Sequence, residues 1–354
     1  MPDNKLFLMA GGGTGGHVIP ALAVARELRS RGHDAFFVGT ERGVEARIVP
    51  QAGFKLQLIN IGGLKNLGIL RKVTSLFQLV ASTISQLFTP RPTAVFSMGG
   101  YVAGPPVLAA ILRKIPVVVM EPNAVPGFTN RWIARFVHRA LLSFQETGRF
   151  FPKGRTEITG LPVRDDFFRI KPKERGGKFT VLITGGSQGS RTLNDAARAS
   201  WPLFTKSELP VRFIHQTGPP TFEQIDREFT ATGLDGEVRP FIQDMPAAFA
   251  DADLIVCRSG AGTVSELAAA GKPSVLIPFP FAADDHQLRN AEAFQQAGAS
   301  LLFVDREWTG QKLFETVRTL INSPLQLMEM GERARKLAHT GAAQRAAEIL
   351  EEIN

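Results

Sequence analysis

Short apolar runs alternate with longer segments of helical composition along almost the whole chain. The runs occupy residues 6–10, 35–38, 55–59, 94–97, 117–120 and 140–143 in the first half, and 179–184, 211–215, 238–241, 254–257, 274–277 and 301–304 in the second. Strands read as continuous apolar runs when helices cover both faces of a parallel sheet. The pattern therefore predicts an α/β protein with two doubly wound parallel sheets.

A change of composition separates the two halves. Residues 150–178 are rich in proline, glycine and charge, which predicts a linker. We place the domains at residues 1–162 and 163–340, and the length of 354 residues also favours about two domains. A last helix within residues 341–354 has no following strand to cover, so we expect it to pack back on the first domain.

One predicted helix, across residues 70–87, has two possible environments. Its apolar residues recur at spacings of three and four, whereas serine and glutamine fall on other faces. The apolar positions are Leu70, Val73, Phe77, Val80, Ile84 and Leu87. In one interpretation this stripe faces the domain core. In the other, part of it rests on an anionic bilayer, with Lys65, Arg71 and Lys72 beside it.

Composition and charge narrow the range of partners. The net charge of +8 indicates an anionic partner, but charged residues make up only 21% of the chain and form no long basic run. This favours a phosphate ligand or an acidic membrane surface over nucleic acid. The single cysteine, Cys257, allows no intrachain disulfide and no thiolate cluster. No leader precedes the first strand, so we expect a cytoplasmic protein.

A glycine-rich loop follows the first predicted strand. Gly11, Gly13 and Gly16 fit the spacing of a dinucleotide-binding loop, but His17 follows directly, and the acidic residue expected about 20 positions further on is replaced by glycine and threonine. An imidazole titrates near neutral pH, which suits a general base. Two roles stay open for His17, a general base or a helix-start residue bonded to the backbone.

Two glycine turns in the second half predict phosphate-binding helix starts. Residues 185–189 include Ser187 and Gln188, which can donate hydrogen bonds, and a second turn precedes the helix that carries Glu266. Helix starts present unpaired N–H groups and a partial positive charge. Glu266 either accepts hydrogen bonds from a ribose diol or closes a capping box with Thr263.

Two further loops follow strands of the first half. Residues 98–101 and 121–123 come after the runs at 94–97 and 117–120, so we expect both at the crevice along the carboxyl edge of the sheet. Two interpretations of Asn123 stay open, a ligand of a sugar hydroxyl or a turn residue beside two prolines.

Two acidic runs resemble metal ligands, and we expect neither to bind a metal. Asp251 and Asp253 form a D-x-D pattern, but they precede a strand and so lie at its amino end, away from the crevice. The consecutive residues 284–286 cannot all point inward.

Five motifs in order resemble the MurG family of bacterial glycosyltransferases. They are Gly-Gly-Thr-Gly-Gly-His at 12–17, Met-Gly-Gly-Tyr-Val at 98–102, Gly-Gly-Ser-Gln-Gly at 185–189, Cys-Arg-Ser-Gly-Ala at 257–261 and Thr-Val-Ser-Glu-Leu-Ala-Ala-Ala-Gly at 263–271. The resemblance covers about residues 5–340. It implies the GT-B fold, in which two Rossmann-like, doubly wound parallel-sheet domains face each other across a cleft.

The resemblance also implies a reaction and a cellular location. N-acetylglucosamine would pass from UDP-N-acetylglucosamine to the C4 hydroxyl of undecaprenyl-pyrophosphoryl-MurNAc-pentapeptide (lipid I) with inversion, which forms lipid II for peptidoglycan synthesis. The first domain would bind the acceptor and the anionic inner-membrane surface at its cytoplasmic face, and the second would bind the donor. No cofactor, required metal or nucleic acid is implied.

The same resemblance implies a set of site residues. For the base of this reaction, the position of the first glycine loop makes His17 the expected residue, with Glu121 as the second choice. The substrate-binding residues would be Thr14, Gly15, Gly16, Asn123, Arg164, Ser187, Gln188, Ile242, Arg258, Ser259, Ala261, Gly262, Thr263, Val264, Ser265, Glu266, Gln287 and Asn290. Among them, Ile242 would hold the uracil through its backbone, Glu266 the ribose and Arg164 the diphosphate.

Three alternatives stay open. A UDP-N-acetylglucosamine 2-epimerase, or another nucleotide-sugar enzyme of the GT-B fold, would use the same architecture without a lipid acceptor. A nicotinamide oxidoreductase would use the first glycine loop for its cofactor, and a non-catalytic scaffold of cell-wall assembly would transfer nothing.

Overall fold

The computed structural model of the chain describes residues 4–61, 69–173 and 176–353. The chain forms two compact units, one of Met1–Pro162 with His339–Asn354 and the other of Val163–Ala338. Each unit is built on one parallel sheet.

The first unit has a seven-stranded sheet in the order β3-β2-β1-β4-β5-β6-β7. The strands are β1 Leu6–Gly11, β2 Asp34–Gly39, β3 Lys55–Leu58, β4 Ala94–Gly99, β5 Val117–Glu121, β6 Arg139–Leu142 and β7 Thr156–Ile158. The helices are α1 Gly15–Ser30, α2 Glu45–Gln51, α3 Ile69–Leu87, α4 Gly104–Leu112 and α5 Phe128–Ile133. The strand order reverses between β1 and β4, so the loops after these two strands lie at the switch point of the sheet.

The second unit has a six-stranded sheet in the order β10-β9-β8-β11-β12-β13. Its helices are α6 Asp165–Phe168, α7 Arg191–Ser207, α8 Phe222–Thr232, α9 Met245–Asp251, α10 Ala261–Ala270, α11 His286–Gln296, α12 Gly310–Ile321 and α13 Pro324–Lys336. Its strands are β8 Phe179–Thr184, β9 Val211–Gln216, β10 Asp235–Arg239, β11 Leu254–Cys257, β12 Ser274–Leu276 and β13 Ser300–Leu302. The switch point lies between β8 and β11.

The side chains of β1 show why the strands read as apolar runs. Phe7 and Met9 lie in a core that includes α1, whereas Leu8 and Ala10 lie in a second core, on the opposite face, that includes α4. Because both faces of the sheet are buried, every position along the strand is apolar. The predicted doubly wound α/β architecture is confirmed.

Two predicted boundaries are wrong. The predicted linker at 150–178 contains the edge strand Thr156–Ile158 and the helix Asp165–Phe168. The strand predicted at 238–241 is displaced, because β10 spans Asp235–Arg239. Both strands lie at sheet edges and are largely accessible, so neither needs the continuous apolar run by which the central strands were found.

The described part of α3 turns its polar residues inward. Ser82, Thr83 and Gln86 are buried, whereas Val80 and Ile84 are about half exposed. The hydroxyls of Ser82 and Thr83 donate to backbone carbonyl oxygens, which satisfies them in the interior where α3 packs on α4. The prediction of a core-facing apolar stripe is therefore wrong for this part. The other predicted side chains lie outside what the structure describes: Lys65 falls between the described ranges, and within 69–77 the side chains are not described, namely those of Leu70, Arg71, Lys72, Val73 and Phe77.

The last helix, α14 (Ala342–Glu352), belongs to the first unit and packs on α1. Leu350 is fully buried in the core that includes α1 and β1. Arg31, directly after α1, lies 2.9 Å from the Glu351 carboxylate, and Arg345 forms a two-pronged ion pair with Glu157 of β7 at 2.5 and 3.1 Å. The helix thus covers the face of the sheet beside α1.

Replacing Leu350 by alanine should destabilise the first unit. Removal of a buried leucine side chain costs about 2–5 kcal/mol, because apolar burial is lost and a cavity remains. We expect urea-dependent hydrogen exchange, read by mass spectrometry in peptides of β1 and α1, to show a loss of this size in the free energy of unfolding. The matched control is Leu325→Ala, at a side chain that is 68% exposed, with an expected change within about 0.5 kcal/mol. Equal losses in the two variants would contradict this account of α14.

Candidate functional site

The loop between β1 and α1 carries a helix start without a side-chain cap. Thr14 is the N-cap residue, its side chain makes no capping bond, and it is exposed together with Gly16, while Gly15 is partly exposed. Gly13 adopts a φ of +85°, a conformation that glycine reaches at little cost. The predicted residues of this loop therefore lie at an accessible helix N-terminus.

A buried carboxylate that sequence reasoning missed holds this loop. Glu45, the first residue of α2, is fully buried. Its Oε2 accepts a hydrogen bond from the Gly13 N–H at 2.8 Å, and its Oε1 accepts from the N–H and hydroxyl of Thr40 at 2.9 and 3.0 Å. A Cβ atom would come within 2.5 Å or less of Glu45 at glycines 12, 39 and 43. The sequence signal that could have identified Glu45 was an acidic residue in the first turn of a predicted helix, close to several glycines.

The His17 ring lies against two glycine loops. Its Nδ1 is 3.3 Å from the Gly12 carbonyl oxygen and 3.5 Å from the Thr14 hydroxyl. A Cβ at Gly100 would lie 3.2 Å from the ring, so the loop after β4 packs closely over the imidazole. Because a carbonyl oxygen only accepts, the Gly12 contact favours the tautomer with the proton on Nδ1 and the lone pair on Nε2.

Glu121, the second predicted base, is enclosed by its own loop. The side chain is 1% exposed and accepts hydrogen bonds from the backbone N–H groups of Asn123 and Gly127 and from the amide groups of Asn123 and Asn130, at 2.9–3.1 Å. Burial raises the pKa of Glu121, and the hydrogen bonds from Asn130 and Asn123 oppose that rise. A carboxyl group used in this way shapes the loop, and its position does not suit proton transfer from a substrate.

In the second unit, α10 begins directly after β11 with Gly260 as an N-cap that provides no side chain. The N–H groups of Ala261, Gly262 and Thr263 lie in the first turn, where the helix offers no acceptor. A Cβ at Gly260 or Gly262 would meet nothing within 4 Å, so the space beside this turn is open. Val264 differs, because its side chain is buried and its N–H donates to the Gly260 carbonyl oxygen at 3.0 Å.

Glu266 lies one turn further along α10, near Ser265, and both side chains are partly accessible. Burial raises the pKa of Glu266 to about 7, and the positive charge of Arg164 acts in the opposite direction. Among the residues that the structure describes, none donates a hydrogen bond to this carboxyl. Thr263 is the third residue of the helix and not its N-cap, so the alternative of a capping box is wrong.

Arg258, predicted to bind substrate, connects three loops of the second unit. Its guanidinium group donates to the hydroxyl of Ser190 at 2.7 Å and to the carbonyl oxygens of Ile277 and Pro278 at 3.0 and 3.1 Å. It also forms an ion pair with Asp305. These contacts indicate that the Arg258 side chain holds the three loops in position.

Two more predicted binding residues are fully buried. Ser259 donates to the Gln287 carbonyl oxygen at 2.8 Å, and the Asn290 amide donates to the Ser259 carbonyl oxygen at 3.2 Å. The predicted direct contacts of these two side chains with a ligand do not fit this burial. Gln287 is partly accessible, and its side-chain oxygen accepts from the Phe279 N–H at 3.0 Å.

Gln216, at the end of β9, is a further buried residue that sequence reasoning missed. Its amide donates to the Gly186 carbonyl oxygen at 2.9 Å, and its oxygen accepts from the Ile242 N–H at 2.7 Å. Gln216 thus connects the turn that exposes Ser187 and Gln188 to the loop expected to hold a base. The Ile242 N–H is already bonded to Gln216. Only the carbonyl oxygen of Ile242 therefore remains as a backbone group for the predicted contact with uracil.

The acidic residues at the amino end of β11 are used inside the protein. Asp253 lies 2.6 Å from the ammonium group of Lys173 and accepts from the Thr180 N–H at 2.7 Å. Across residues 4–61, 69–173 and 176–353, no three His, Cys, Asp or Glu side chains form a group that could hold a metal ion.

Two family models match the two halves of the chain. The model of the glycosyltransferase family 28 N-terminal domain matches residues 7–142, and the model of the C-terminal domain matches residues 180–350. Together they cover most of the sequence.

Similar structures report on the fold. The crystal structure of Acinetobacter baumannii MurG is similar with a TM-score of 0.84 and 33% identity over 99% of both chains, which confirms the GT-B assignment. A UDP-N-acetylglucosamine 2-epimerase structure is similar with a TM-score of 0.68, covering 98% of this chain and 95% of the other. At 14% identity, that likeness shows the fold alone.

A relative from Solibacter usitatus (strain Ellin6076) carries the name UDP-N-acetylglucosamine–N-acetylmuramyl-(pentapeptide) pyrophosphoryl-undecaprenol N-acetylglucosamine transferase. It is 65% identical over 348 residues, which cover 98% of this chain and 96% of the relative. The chain therefore belongs to this family of N-acetylglucosamine transferases, the MurG family within glycosyltransferase family 28.

Proposed function

We propose that the chain transfers N-acetylglucosamine from UDP-N-acetylglucosamine to the C4 hydroxyl of the N-acetylmuramyl group of undecaprenyl-pyrophosphoryl-MurNAc-pentapeptide, converting lipid I to lipid II. The extended identity to the Solibacter usitatus transferase is the observation that carries this proposal. The direct test incubates the protein with labelled donor and lipid-linked acceptor. Label should move to the lipid fraction, and release of a free epimerised sugar nucleotide without transfer would favour the epimerase alternative.

The second unit is proposed to bind the donor. The open first turn of α10 offers N–H groups at the positive end of a helix, which suits a diphosphate. Arg164 is exposed and its charge acts on Glu266, so this part of the second unit can pair a cation with phosphate and a carboxyl with the ribose. Ser187 and Gln188, exposed on the turn after β8, can add neutral donors.

The first unit is proposed to supply the base. In the inverting step, the C4 oxygen of the acceptor bonds to the anomeric carbon while the bond to the UDP oxygen breaks. The hydroxyl proton passes to Nε2 of His17, the nitrogen that carries the lone pair in the favoured tautomer. Helix-start N–H groups stabilise the charge that develops on the leaving diphosphate.

The first unit is also proposed to bind the cytoplasmic face of the cell membrane. In the described ranges, no helix combines the length and the apolar character of a membrane span. Val80, Ile84 and Phe88 nevertheless form an exposed apolar row at spacings of four; the neighbouring helix α4 ends at exposed Leu112, and exposed Lys114 follows two residues later. Apolar side chains beside basic residues fit an anionic bilayer surface.

His17→Gln should lower turnover at least about a hundredfold, because a general base typically contributes a factor of about 10²–10⁴. UDP-N-acetylglucosamine binding, measured by calorimetry, should stay within about threefold, since the proposed donor site lies on the second unit. The matched control is His339→Gln, also in the first unit. Turnover within a few-fold of the parent would mean that His17 has only a structural role.

Donor affinity should depend on the charge of Glu266. An ionised carboxyl only accepts hydrogen bonds, which suits a ribose diol, and the pKa of this group is raised to about 7 by burial. The ionised fraction falls about tenfold between pH 8 and pH 6, so the Kd for UDP-N-acetylglucosamine should rise by about that factor. Glu266→Gln should bind weakly at both pH values.

A control variant and a donor analogue test whether Glu266 causes this pH dependence of donor affinity. The control Glu332→Gln, at an exposed glutamate of the same unit, should keep the pH dependence of the parent. A donor analogue that lacks the ribose 2′-hydroxyl should lose affinity for the parent but not for Glu266→Gln. A pH dependence that survives in Glu266→Gln would assign it to another group.

Phe88→Ser should weaken binding to vesicles that contain anionic phospholipid by about tenfold or more, since burial of a phenylalanine side chain contributes about 1.5–3 kcal/mol. Phe88 is 85% exposed, so the fold should tolerate the change. The matched control is Phe281→Ser in the second unit, at a side chain that is 83% exposed. Vesicle sedimentation measures both, and equal losses would exclude a specific role for the end of α3.

A further inference from the structure

One peptide group connects the buried carboxylate of the first unit to the proposed base. The N–H of Gly13 donates to Glu45 Oε2 at 2.8 Å. The carbonyl of Gly12, on the other side of the same peptide bond, lies 3.3 Å from His17 Nδ1. Carboxylate, peptide and imidazole thus form a chain of two hydrogen bonds.

We propose that Glu45 is a positioning residue for His17 and acts through the Gly12–Gly13 peptide. The carboxylate fixes this peptide so that its carbonyl oxygen faces Nδ1, which keeps the Nδ1–H tautomer and leaves Nε2 as the proton acceptor. This inference rests on the proposed role of His17 as the base.

The carboxylate has the properties that this role requires. It is fully buried, and no Lys, Arg or His of the described ranges forms an ion pair with it, so its charge acts on the N–H and hydroxyl groups it contacts. Hydrogen bonds in series polarise one another in a low-dielectric interior, so a charged acceptor at one end strengthens acceptance at the Gly12 carbonyl. The positive imidazolium that forms when His17 takes a proton is stabilised in the same way.

Local structure suits a carboxylate in this buried place. Glu45 lies in the first turn of α2, where the helix dipole favours an anion. Both its oxygens face donors, so a glutamine would turn its NH₂ group toward the N–H of either Gly13 or Thr40. Glutamine at this position therefore keeps the size of the side chain but removes the charge and one of the accepted bonds.

The experiment compares Glu45→Gln, His17→Gln and the double variant with the parent. Glu45→Gln should lower kcat about ten- to a hundredfold, while the KM for the donor stays within about threefold. The double variant should be no slower than His17→Gln, because Glu45 acts through His17. The matched control is Glu41→Gln, at an exposed glutamate after β2, with parental turnover.

Nitrogen-15 NMR of histidine-labelled protein gives a readout that a purely structural role would not change. The His17 signals, assigned by their loss in His17→Gln, should show the Nδ1–H tautomer in the parent and a mixture of tautomers in Glu45→Gln. An Nε2–H tautomer in the parent overturns the inference, and this result requires no Glu45 variant to fold.

The remaining outcomes separate this inference from the proposed function. If Glu45→Gln keeps full turnover while His17→Gln is inactive, the proposed role of Glu45 is refuted and that of His17 is not. Losses that multiply in the double variant overturn it as well, since they assign Glu45 an independent effect. Full turnover of His17→Gln refutes the proposed base, whatever the Glu45 variants do.

Discussion

Backbone groups that secondary structure leaves unpaired are the constraint on which both sites depend. Parallel strands end at one edge of a sheet, and each following helix begins with N–H groups that lack an acceptor within the helix. In the first unit this edge carries the start of α1, and in the second the start of α10, where Gly260 and Gly262 leave open space. The surface offered to a ligand is therefore largely main chain, and its geometry depends on what fixes the loops from beneath.

Polar side chains in the interior provide that support. Glu45 and Glu121 accept several hydrogen bonds each from loops of the first unit, while Gln216 and Arg258 connect loops of the second. Burial of a polar group is unfavourable unless its hydrogen bonds are made, so each of these residues favours a single arrangement of the loop around it. The positive φ of Gly13 illustrates the result, since a flexible residue is held in one conformation by a carboxylate.

The central strands could be predicted because burial on both faces requires apolar residues without interruption. The same reasoning missed β7 and placed β10 wrongly, since an edge strand buries less of its surface. It also failed for α3, where Ser82 and Thr83 turn inward by bonding to the backbone while Ile84 turns outward. A prediction from hydrophobic periodicity assumes that polar side chains face water. The hydroxyls of Ser82 and Thr83 instead donate their hydrogen bonds to backbone carbonyl oxygens.

The motifs predicted the location of the sites well. They were less successful in predicting which residues face a ligand. Ser259 and Asn290 were predicted to bind substrate together with Gly262 and Glu266, yet the first two are fully buried. A polar residue beside a glycine turn has the same appearance in sequence whether it contacts the ligand or supports the loop, because only tertiary packing separates the two. Removing a supporting residue displaces several backbone donors at once. Loss of turnover therefore does not identify a contact residue, and a measurement of loop or side-chain geometry has to accompany it.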